Sequence, residues 1–165
     1  MGPAPEVSLF AHSARIIRQT VEVNIEGISH PESLIAPRPA GSCANWILGH
    51  LAHSYEQTLP HLGQPKVVDN GTLERYRRGS DPIGEGSPAC DFDELRRIFA
   101  ESSDRIGAGL ASLNDEALAT TSNYFGGKSE TTLAKFLNFI FFHQAYHAGQ
   151  LGVLRRIVGK EGAIP

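Results

Sequence analysis

Several features that define other protein classes are scarce or missing in this chain. Cysteine occurs twice only, as Cys43 and Cys90, far apart in the sequence. A disulfide-built domain needs more of them in a shorter chain, and a zinc ribbon needs close-spaced Cys pairs. Two reduced thiols and a cytoplasmic setting are the expectation. No apolar run approaches the ~18 residues of a membrane span, so no membrane association is expected. Met1 to Glu6 has neither the basic nor the apolar stretch of a secretion signal, and Glu6 stands where a myristoylation signal requires Ser or Thr. Positive charge is not in excess: 15 Lys and Arg face 18 Asp and Glu, for a net charge of -3. A protein that grips phosphate backbones carries the opposite balance, so nucleic acid is not an expected partner. Internal repeats, low-complexity tracts and period-2 strand patterns are also missing.

What the 165 residues do contain is ordinary globular material, 41% apolar and 20% charged, enough for one domain spanning residues 1–165 with a real core. Four segments have helical periodicity. The first, about Glu6 to Ile25, spaces Val7, Phe10, Ala14, Ile17 and Val21 by threes and fours, and Gly27 and Pro31 end it. The second follows Ser42 as its expected N-cap, with Ala44, Ile47, Leu48, Leu51, Tyr55 and Leu59 in its stripe. The third opens on Asp91, with Glu94 three residues later as in a capping box, and runs through Phe92, Leu95, Phe99, Ile106 and Leu110 to Leu113. The fourth covers about Thr132 to Val158, with Leu133, Phe136, Leu137, Ile140, Leu151 and Leu154 on one side. An all-α four-helix bundle is therefore predicted. Between its second and third helices lies a Gly- and Pro-rich link, about residues 61–89, long enough to act as a crossover or as a wall of a site.

The residues that suggest chemistry are histidines. His143 and His147 are four apart on the last helix, so both rings leave the same face one turn apart and can reach one ion. At ~100° per residue they fall within the apolar stripe and point into the bundle, where an imidazole needs a partner. The second helix offers His50 and His53. His50 lies on the flank of that helix's apolar stripe and His53 further round toward solvent, so His50 is the better third ligand. Gly49 beside it lets a neighbouring helix approach closely. His12, His30 and His61 read as ordinary polar residues, and the Arg155-Arg156 pair suits the end of a helix. The chain has no Glu-x-x-His of dimetal bundles, no His-Glu-x-x-His, no Gly-x-Ser-x-Gly and no P-loop. A mononuclear, histidine-rich site remains.

Asn45-Trp46-Ile47-Leu48-Gly49-His50-Leu51, taken with His143-x-x-x-His147-x-Gly149-Gln150-Leu151, resembles the DinB-like (DinB/YfiT-like) metalloprotein superfamily, a family of damage-inducible four-helix bundles. The resemblance spans nearly the whole chain. It implies one divalent ion, commonly zinc or nickel, held by His50, His143 and His147, and a homodimer formed through helix faces. Some relatives transfer low-molecular-weight thiols, others are described as metal-dependent hydrolases, and many have no known activity.

Three protein ligands leave a coordination position open, as in catalytic sites. The leading expectation is a metal-dependent thiol (S-)transferase, with a small thiol bound as thiolate and an electrophilic small molecule entering beside the long link. His53 and Gln150 are candidates to support the ligating rings, and Trp46, one turn before His50, to wall a pocket. Hydrolysis ranks lower because Glu56, the nearest carboxylate, lies more than a turn from His50. A metal-binding stress-response protein without catalysis is the third reading.

Overall fold

The computed structural model describes residues 5–84, 86–127 and 129–163. The chain folds into α1 (Pro5–Ile25), α2 (His30–Ser33), α3 (Ala44–Thr58), α4 (Phe92–Ala111), α5 (Asp115–Ala119), β1 (Thr121–Ser122), β2 (Thr131–Thr132) and α6 (Leu133–Ile157). The four long helices coincide with the four periodic segments, and each packs on two others: α1 on α6 and α4, α3 on α4 and α6. The periodic residues explain why. Ile17 and Val21 of α1, Leu48, Leu51 and Tyr55 of α3, Leu95, Ile98 and Ile106 of α4, and Leu137 and Leu151 of α6 are all buried in one cluster. None of these helices is long and apolar enough to cross a membrane, among the described residues.

Helix ends differ in detail from the sequence reading. Cys43, not Ser42, is the N-cap of α3, and its side chain makes no capping bond; its buried thiol joins the core instead. Asp91 does cap α4, accepting from the N–H groups of Asp93 and Glu94. Glu94 does not reciprocate, because its carboxylate is engaged by Arg97, an exposed pairing that also holds it below the usual carboxylate range. Leu113 lies beyond the end of α4. The two-residue antiparallel ladder of β1 and β2, with Thr121 opposite Thr132, is too short to show a period in sequence.

The link before α4 is not structureless. It begins with a 3-10 turn at Leu59–Leu62 and holds another at Glu74–Tyr76, and it buries Leu73, Tyr76 and Ile83. Its anchor is Glu56, itself buried on α3. One carboxylate oxygen accepts from Val67 N–H at 2.9 Å and Val68 N–H at 3.2 Å, and the other from Ser102 Oγ of α4 at 2.6 Å. A buried carboxylate survives in a core only when its lone pairs are met in this way. Arg155 of α6 donates to the carbonyls of Asn24 and Glu26. Its guanidinium thus joins the end of α1 rather than merely facing solvent.

Candidate metal centre

Where α3 packs on α6, His50 meets His143 and His147. The ring centroids lie 5.0 Å apart for His50–His143, 5.0 Å for His50–His147 and 4.6 Å for His143–His147, each pair near perpendicular. One ring nitrogen from each falls within 4.8 Å of the other two, and these residues form the one such group of His, Cys, Asp or Glu among the described residues. The i,i+4 spacing on α6 supplies two rings on one face; the α3–α6 contact supplies the third.

Hydrogen bonds decide which nitrogens are free. His50 Nδ1 lies 2.7 Å from the carbonyl oxygen of Tyr76. A carbonyl only accepts, so Nδ1 carries the proton and Nε2 presents a lone pair. His147 Nδ1 lies 2.6 Å from Gln150 Oε1, with the same consequence. His143 Nε2 sits 3.1 Å from His50 Nε2. Two nitrogens bound tetrahedrally to one zinc at ~2.0–2.1 Å would be about 3.3 Å apart, so this spacing suits a shared ion. His143 Nδ1 is buried without a protein partner, so its proton is not pinned as those of His50 and His147 are. The donor set fits a divalent ion that accepts imidazole.

Burial, first of all, lowers the pKa of all three imidazoles below that of a free histidine. For His143 the charges of His147, His50 and Arg78 add to it, and the value falls to about 4. The three rings are therefore neutral at pH 7, the form that binds metal.

The surroundings hold this geometry through contacts that were not legible in the sequence. Tyr76 from the link presents its carbonyl to His50, while its hydroxyl donates to Asn45 Oδ1 at 2.9 Å and accepts from Cys90 N–H at 2.8 Å. Gly49 does allow a close approach, but by the Tyr76 ring rather than by a helix. A Cβ at position 49 would stand 2.2 Å from Tyr76 Cδ1. Gly49→Ala should gain about 1 kcal/mol of helix propensity but lose more to overpacking, roughly 1–3 kcal/mol or beyond. The expected net result is a lower melting temperature together with a 10–100-fold weaker metal affinity, because the ring that moves carries the carbonyl orienting His50. Calorimetry and competitive metal titration check both; a stabilised variant with unchanged affinity would refute the argument.

Of the other sequence candidates, Trp46 stacks on His50 with centroids 4.7 Å apart and planes at 16°, its indole N–H donating to Ser80 Oγ at 3.0 Å. Gln150 meets His147 as described. His53 is not among the three converging ligands, although the charge of His50 acts on it. It turns toward the link beside Glu56, Lys66 and Leu73 and makes no hydrogen bond to the three rings. His30 accepts from Phe92 N–H, and His61 packs on Tyr124 and Phe136, both in the ordinary roles expected of them.

In this mostly helical protein one buried and two half-buried histidines converge from two helices, a group that could hold a metal ion. The chain belongs to the DinB superfamily, whose family model it matches over residues 15–151, and that superfamily is associated with metal. In structure it is similar to a conserved protein from Enterococcus faecalis, at a TM-score of 0.71 and 15% identity over 92% of this chain and 96% of that one, a likeness of fold. No curated protein matches the chain in sequence.

Proposed function

We propose that the chain holds one divalent ion, zinc or nickel, on His50, His143 and His147 and transfers a small thiol to an electrophilic small molecule. The observation that carries this reading is the convergence of three imidazoles with no carboxylate in the group. Bound there, the ion would act as a Lewis acid that favours thiolate over thiol at neutral pH. The chain's own contribution is orientation: the Tyr76 carbonyl and Gln150 Oε1 hold the protons of His50 and His147 on the nitrogens facing away from the group. Hydrolysis needs a nearby base in addition, and Glu56 has its carboxylate occupied by Val67, Val68 and Ser102. That favours thiol transfer.

The reading includes a four-helix bundle with residues 61–89 as a crossover link, supported by the pairwise packing of the four long helices. It includes a homodimer, supported by exposed apolar side chains at Leu9, Ile16 and Val23 of α1 and Phe139 and Phe142 of α6. It also includes a reducing cytoplasmic setting, which the free thiols of Cys43 and Cys90 suit.

The test is turnover of zinc- or nickel-loaded protein with cysteine and an activated aryl halide. The S–C bond forms as the C–halogen bond breaks, the halide leaves with the bonding pair, and the thiol proton passes to solvent. Halide release that requires both thiol and metal is the expected result. Hydrolysis of aryl esters without thiol would establish the hydrolase reading instead, and metal binding without either turnover would leave a non-catalytic stress-response protein.

A further inference from the structure

A cleft of about 400 Å³ opens between residues 37–42, ahead of α3, and the C-terminal half of α6. It shares His147 and Gln150 with the metal group, and Trp46 and Tyr146 wall it. Its size is within the roughly 300–1,000 Å³ of small-molecule sites. Not one of its lining residues is Asp, Glu, Lys or Arg. Arg78, whose charge acts on His50 and His143, does not line the cleft. Away from the metal end, an ionised group would lose water without gaining a counter-charge, whereas an apolar body would cover Trp46, Val153 and Ile157. Polar capacity is concentrated at the metal end. The Trp46 indole N–H is already committed to Ser80, but Gln150, which donates one amide N–H to the Tyr146 hydroxyl at 3.4 Å, retains the other.

We infer that this cleft seats the uncharged, apolar body of the site's organic substrate, with a hydrogen-bond acceptor directed toward Gln150 and the reacting end toward His147. The inference rests on the proposed function and adds to it the substrate class. It also moves the entry of the electrophile: the cleft is walled by residues 37–42 and α6, not by the long link at residues 61–89.

Trp46 is the single tryptophan of the chain, so its indole N–H gives one cross-peak in a ¹⁵N–¹H spectrum. Metal-free protein, in which no ion can ligate a probe, is titrated with three probes of one shape and different charge, acetophenone, benzoate and benzylamine, and zinc-loaded protein is titrated with acetophenone. Acetophenone should shift the Trp46 peak with a Kd on the order of 1 mM, and the two ions should bind at least tenfold more weakly. Val153 lines the cleft and is 57% exposed on α6, so Val153→Arg is tolerated by the fold. It should weaken acetophenone at least tenfold and let benzoate in. Equal binding of all three probes, or preference for an ion in the parent, overturns the inference. So does self-association of the parent that sedimentation shows is lost in Val153→Arg, which would mean that a second copy covers the cleft. Elemental analysis of the zinc-exposed sample separates the two claims. Metal bound with no probe response overturns the cleft assignment alone. A probe response in protein that takes up no metal overturns the proposed function, and with it the assignment of the cleft to that site's substrate.

Discussion

Alanine at His143 or His147 is expected to take bound metal from about one ion per chain to nearly none after dialysis, with affinity reduced by well over a hundredfold. The size of the effect follows from position. Partners that merely orient a metal-binding ring cost roughly 10–100-fold when removed, and a ring that donates its own lone pair must cost more. Gln150→Ala therefore serves as the graded comparison: it frees the His147 Nδ1 proton from its 2.6 Å acceptor but leaves Nε2 in place, so it should fall within that range. His53→Ala, which removes no hydrogen bond to the three rings, should leave uptake unchanged. The pH dependence has a definite sign. Protons compete with metal for the same nitrogens, and burial holds the three pKa values down, that of His143 at about 4. Uptake in the parent should consequently fall off at a lower pH than imidazoles of the free pKa ~6.5 would allow. Elemental analysis and competitive titration are the measurements. A metal-free parent, still empty after exposure to zinc or nickel, would reduce the three histidines to core residues.

The second large effect is on stability. Glu56→Ala removes a buried carboxylate that two backbone N–H groups of the link and a hydroxyl of α4 all address. Hydrogen bonds to a charged group contribute about 1.5–3 kcal/mol each, and the donors left behind are the buried Ser102 hydroxyl and two part-buried N–H groups. Allowing for partial relaxation, the loss should be about 3–5 kcal/mol. For a chain of this size that corresponds to a fall of roughly 10 °C or more in melting temperature. Glu56→Gln keeps the volume and one acceptor but turns an amide N–H toward a donor, so an intermediate loss is expected. Folded Glu56→Ala protein at low temperature should still bind metal, since no atom of Glu56 belongs to the group. A variant of undiminished stability that has lost an activity of the parent would mark Glu56 as a chemical base and refute the purely architectural role.

Much of this was legible from periodicity. The four long helices follow from apolar residues at threes and fours, because burial of one face repeats with the helical turn. The pairing of His143 with His147 needs only the geometry of α6. His50 was favoured over His53 by its place on the flank of the α3 stripe, and the fold puts His50 against the other two and His53 against the link. What failed to register was short or non-local. Five-residue α5, four-residue α2 and the β1–β2 ladder are too brief to carry a period. The link reads as loop because its buried residues, Leu73, Tyr76 and Ile83, are few and Gly79 and Pro82 interrupt the run between them.

The sequence by itself determined the helices, their inward faces and the chemistry of the donor atoms, since each of these depends on residues within a few turns of one another. Only the tertiary structure decided which nitrogen of His50 is free, what closes over Gly49, and that a cleft opens beside His147. Those outcomes depend on a carbonyl from Tyr76, a hydroxyl from Ser80 and the approach of residues 37–42 to α6. Backbone groups are the same in every residue, so their role in a site is set by where the folded chain brings them and leaves no mark in the pattern of side chains.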